Sequence, residues 1–153
     1  MRARWQATAA AGLALLAAQA PHPALAQSPD HSRSLSAIPA EVMFLRATGS
    51  WTSGDREGTT RMVILRSGSP DGALRLYVQW MATTERGGRA AIVATEEVPE
   101  VFDWRVAIED YRVEPDANGS RVLLDGRIIG SGRSRRYMLT IGPPGEITFA
   151  ALR

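Results

Sequence analysis

The chain of 153 residues and 16.6 kDa has room for one ordinary domain. With 22% charged and 44% hydrophobic residues it is neither a disordered tail nor a membrane-embedded bundle. It has no cysteine and no lysine, and its two histidines, His22 and His31, lie near the start; disulfides, thiolates, Schiff-base lysines and imidazole bases are therefore excluded from the folded body.

Residues 1–26 read as a signal peptide. Arg2 and Arg4 form a positive start, 7–20 is an apolar run centred on Leu13, Leu15 and Leu16, and Ala24-Leu25-Ala26 precedes Gln27 as a cleavage site. The run falls short of the ~20 apolar residues of a membrane-spanning helix, so cleavage near Ala26 is expected, with no transmembrane segment afterwards. No cysteine follows to carry a lipid, and Arg-Ala-Arg is not a twin-arginine signal. The alanine-rich leader points to export into a bacterial periplasm or the medium. Without Arg2 and Arg4, sixteen arginines face sixteen acids, and nucleic acid is not an expected partner.

Residues 27–38 are polar and read as a flexible linker, and 39–153 form the single domain. Ile38-Pro39 opens a short apolar segment to Ala47 that fits a helix or a strand. Eight runs with strand composition follow, at 50–53, 60–67, 74–83, 89–96, 101–113, 120–129, 135–141 and 146–152. Ser69-Pro70-Asp71-Gly72, Gly87-Gly88, Asn118-Gly119, Gly130-Ser131-Gly132 and Gly142-Pro143-Pro144-Gly145 separate later runs as turns, with Asn118-Gly119 the strongest hairpin signal. Connections this short make sequential strands antiparallel neighbours.

Alternation identifies the dry face. Leu74, Leu76, Val78 and Trp80 point one way and Arg75, Tyr77 and Gln79 the other. In the fifth run Phe102, Trp104, Val106 and Ile108 share a face, and the phase then shifts to Tyr111 and Val113. A β-bulge near Glu109-Asp110 keeps all six together. Such a sheet buries its dry face by rolling into an eight-stranded antiparallel up-and-down barrel, which is the expected fold. A two-layer β-sandwich is the alternative.

Gly49-Ser50-Trp51, opening a meander after a short apolar segment, resembles the start of the lipocalin and avidin barrels. Asp110-Tyr111 is similar to a second lipocalin motif. The resemblance covers residues 44–152 in layout, and it implies a barrel whose floor is closed by Trp51.

The chemistry-bearing residues are few. A serine triad lacks its base, and zinc or copper lacks its ligands, so no metal or cofactor is expected. Asp110, at the bulge beside Tyr111, is a candidate acid if turned inward and otherwise a partner for the bulge backbone. Glu114, Asp116, Asn118 and Asp125 imitate calcium-loop spacing, but strand-like flanks favour a hairpin. The acid-rich stretch 96–116 and the arginine-rich stretch 121–136 suggest cross-strand ion pairs; the sharper alternative has Arg133, Arg135 and Arg136 binding an anion such as lipid phosphate.

The expected function is therefore non-catalytic: binding of a small apolar or amphipathic ligand inside the barrel, lined by Val78, Trp80, Phe102, Trp104, Tyr137 and Phe149. The alternatives are a protein-binding module, such as an inhibitor of a periplasmic enzyme acting through loops 53–58 and 85–88, and a cofactorless isomerase or cyclase using Asp110 and Tyr111.

Overall fold

The computed structural model describes residues 31–83, 90–116 and 118–153. The expected signal peptide, the Gly87-Gly88 turn and loop 85–88 lie outside the described residues. The single exposed turn α1 (Ser32–Ser36) is followed by strand β1 (Val42–Ser53), which resolves the ambiguity of the segment after Pro39. The strands β2 (Arg56–Arg66), β3 (Leu74–Thr83) and β4 (Ala90–Val98) complete one antiparallel sheet in the order β1-β2-β3-β4. Helix α2 (Pro99–Asp103) leads into the second sheet, with β5 (Val106–Asp116), β6 (Gly119–Ile128), β7 (Ser134–Ile141) and β8 (Ile147–Ala151) in that order.

Two four-stranded meanders replace the expected closed barrel, and the sandwich alternative describes the molecule. The break falls between β4 and β5, and its cause is Pro99. Proline has no N–H for a ladder, and its fixed φ suits the first turn of a helix. The run 101–113 therefore splits: Val101 is buried on α2, Phe102 is half-buried, and the strand starts only at Val106. Phe102 and Trp104 do not share a strand face with Val106 and Ile108.

Within each sheet the alternation holds. Leu76, Val78 and Trp80 of β3 are fully buried, as are Val122 and Leu139 of β6 and β7. The bulge is present, because Ile108 pairs with Gly126 and Asp110 with Asp125, leaving Glu109 as the extra residue. One turn is displaced by a residue. Asp116 pairs with Gly119, so Gly119 is the first residue of β6 and not a turn residue. The calcium-spaced oxygens do not converge, since Asp125 lies mid-strand and pairs with Arg136.

The core lies between the sheets. Trp51, Met62, Ile64, Leu76, Val78 and Trp80 of the first sheet meet Val106, Val122, Leu124, Tyr137, Leu139 and Ile141 of the second in one cluster. Three contacts fasten the layers near their ends: the Phe44 ring stands edge-on to Tyr111 at 4.9 Å, Thr52 Oγ1 donates to Asn118 Oδ1 at 3.0 Å, and Trp80 Nε1 donates to the Gly142 carbonyl at 2.8 Å.

Candidate functional site

The expected interior site is occupied by side chains. Val78 and Trp80 have no solvent exposure, and Tyr137 has 1%. Trp80 is anchored further by its indole hydrogen bond to Gly142. These three residues build the core. Phe102 lies apart from them, beneath the Arg75 guanidinium at 4.1 Å from its ring centroid. Arg75 also pairs with Glu97 at 2.5 Å, and that hydrogen bond, ahead of the opposing desolvation, holds its pKa above the usual arginine value. Trp104 and Phe149 do come together with Tyr137. Phe149 stacks on Tyr137 at 5.2 Å, and Trp104 approaches both at 5.8 and 6.1 Å while remaining 44% exposed.

A cleft of about 240 Å³ opens between the sheets beside the β5 bulge. Its apolar lining comes from β1 (Met43, Phe44), β2 (Ile64), β3 (Leu74) and β5 (Ile108, Tyr111), and the bulge residues Glu109 and Asp110 complete the rim. The bulge makes this arrangement. One extra residue returns Tyr111 to the inner face, where it meets Phe44, and leaves two consecutive acids beside the opening. Glu109 is engaged by Arg127, whose Nε lies 2.6 Å from Oε1. Asp110 is exposed, and its Oδ1 accepts the Tyr111 backbone N–H at 2.8 Å. The inward-turned acid that an isomerase or cyclase needs is absent at this position, and Asp110 supports the bulge backbone instead.

The acidic and arginine-rich stretches pair across strands. Glu109 meets Arg127 and Glu114 meets Arg121, while Asp125 meets Arg136 at 2.9 Å within the arginine-rich stretch itself. Of the three arginines considered for an anion, Arg136 is thus already matched. Arg133 and Arg135 are exposed, and among the described residues neither side chain pairs with a carboxylate.

Sequence reasoning singled out Asp110 and Tyr111 but missed Phe44, Ile64, Leu74 and Ile108 as lining residues. Each reads in sequence as an ordinary core position, and only the apposition of β1, β2 and β3 with β5 brings them to one cleft. The bulge itself was the available signal. Compared with known proteins, the chain matches no family model, no curated protein and no solved structure.

Proposed function

We propose that this protein is an exported, non-catalytic binder of a small amphipathic molecule, taken up in the inter-sheet cleft rather than in the interior. The observation that carries the reading is the lining: four apolar side chains, Phe44, Ile64, Leu74 and Ile108, meet at a rim that includes Glu109 and Asp110. The apolar body of a ligand gains by leaving water against those walls. A cationic head is then held at the acidic edge. At about 240 Å³ the cleft lies below the roughly 300 Å³ at which drug-sized sites begin, so a short-chain amine fits better than a lipid or a polycyclic compound.

The test is native mass spectrometry and thermal-shift titration of the purified protein with hexylamine and with hexanoate. Hexylamine is expected to bind and raise the melting temperature, and hexanoate is not. Asp110→Asn should weaken hexylamine binding about threefold, in keeping with an exposed charge pair. Equal binding of acid and amine, or no saturable binding of either, defeats the proposal.

A second reading, a protein-binding module, is favoured by one observation. Among the described residues, four of the seven exposed large hydrophobics, Leu35, Ile38, Met43 and Leu45, fall within residues 35–45. A partner would cover that stretch rather than the loops at 53–58 and 85–88.

A further inference from the structure

Arg105 joins three segments at one end of the molecule. Its backbone N–H donates to the Phe102 carbonyl at 3.0 Å, and its carbonyl accepts from the Ile129 N–H, between β6 and β7, at 2.8 Å. Its guanidinium crosses to Asp71 in the β2–β3 turn. That ion pair differs from the others named above. Arg75–Glu97 lies within the first sheet, and the pairs of Glu109, Glu114 and Asp125 lie within the second. Arg105–Asp71 connects a turn of the first sheet to the segment that enters the second.

Asp71 has both oxygens engaged. Oδ1 accepts the Ala73 N–H at 3.2 Å, and Oδ2 meets the guanidinium. The turn is knitted further by the Gly72 N–H on the Ser69 carbonyl at 3.0 Å and the Ser67 N–H on the Ala73 carbonyl at 3.2 Å. The same ion pair brackets the cleft. Leu74, three residues after Asp71, is the wall contributed by β3, and Ile108, three residues after Arg105, belongs to the wall from β5. Arg75, next to Leu74, lies over the Phe102 ring of α2 at 4.1 Å, so α2 keeps a second hold on β3.

We infer that Arg105 and Asp71 are positioning residues that set the upper size limit of the cleft. Their ion pair latches the β2–β3 turn to the α2–β5 junction, holds the walls carrying Leu74 and Ile108 together, and keeps out amines bulkier than a short alkyl chain. The inference rests on the cleft being the binding site. A latch of this kind acts by population: a ligand that needs the open form binds in proportion to the open fraction, and one that fits the closed form is indifferent to it.

The experiment compares amide exchange, followed by NMR, with binding of hexylamine and of the rigid four-ring amine 1-pyrenemethylamine. It uses the purified protein and three variants. Asp71→Asn has one carbonyl oxygen, which serves Ala73 or Arg105 but not both. Arg105→Gly adopts the same positive φ and loses the guanidinium, whereas Arg105→Lys keeps a cation. In Asp71→Asn and Arg105→Gly, exchange of the Ser67 and Gly72 amides should quicken about threefold, the scale of a part-exposed ion pair. Affinity for 1-pyrenemethylamine should rise by the same factor, with the bound pyrene displaced by hexylamine, and affinity for hexylamine itself should not change. Arg105→Lys should match the wild type on both readouts. Unchanged exchange, or quicker exchange with an unchanged ratio of the two affinities, would overturn the latch and leave the cleft as the hexylamine site. Failure of hexylamine to bind the wild-type protein would instead defeat the cleft reading, and the latch with it.

Discussion

At the scale of single residues, close approach decides more than side-chain chemistry. Gly126 on β6 faces the core, and a Cβ there would lie 2.6 Å from Val106 Cγ1 and 3.3 Å from a Tyr137 ring carbon. Both neighbours are buried, so neither has room to yield. Gly126→Ala is therefore expected to destabilise the protein by about 1–3 kcal/mol, the usual cost of overpacking. Urea denaturation checks it, and wild-type stability in the variant would mean that the sheets separate more easily than their packing implies. Gly119 is constrained likewise, since a side chain there meets the Ile141 carbonyl. Nothing in the pattern of apolar residues marks either glycine. Asn118-Gly119 reads as a turn, and only the pairing of Asp116 with Gly119 reveals a strand residue pressed against its neighbour.

At the scale of elements, α2 and its exit determine the architecture. Arg105 occupies the left-handed position past a helix end, where glycine is usual, at a cost of about 1 kcal/mol for a side-chain-bearing residue. Its ion pair with Asp71 is half-exposed and returns only part of that. Arg105→Gly should consequently be close to neutral in stability. Arg105→Val, β-branched and unable to pair, should lie about 1–2 kcal/mol below Arg105→Gly. Thermal unfolding of the two variants side by side is the measurement, and equal melting temperatures would show that the junction relaxes. The element-level misreading of 101–113 as one strand has the same origin. Phe102, Trp104, Val106 and Ile108 alternate well enough for a strand, but Pro99 starts a helical turn ahead of them, and α2 carries the chain into the second sheet.

For the molecule as a whole, the solvated face of the second sheet carries ion pairs that organise charge without adding much stability. Asp125 pairs with Arg136 and stands directly opposite Asp110 in the ladder. Like charges in that relation repel, so Asp125→Asn loses one attraction and one repulsion together. The expected change in stability is below about 1 kcal/mol, and raising salt should shift the melting temperature little, since exposed pairs are screened. A large loss in Asp125→Asn would show that the network acts cooperatively across the sheet.

The strands, their dry faces and the bulge at Glu109 were legible in sequence because they follow from local stereochemistry. A two-residue period needs no partner to be read, and the phase shift between Ile108 and Tyr111 is what one inserted residue does to that period. The closure of the sheet was not legible. Whether eight strands roll into a barrel or divide into two layers depends on whether β4 and β5 pair, a contact between chain segments that no periodicity records. Only the tertiary structure decided that, by lifting the chain through α2. In doing so it filled the expected ligand cavity with Val78, Trp80 and Tyr137, left Trp104 at the surface, and brought residues of β1, β2, β3 and β5 together in the cleft beside the bulge.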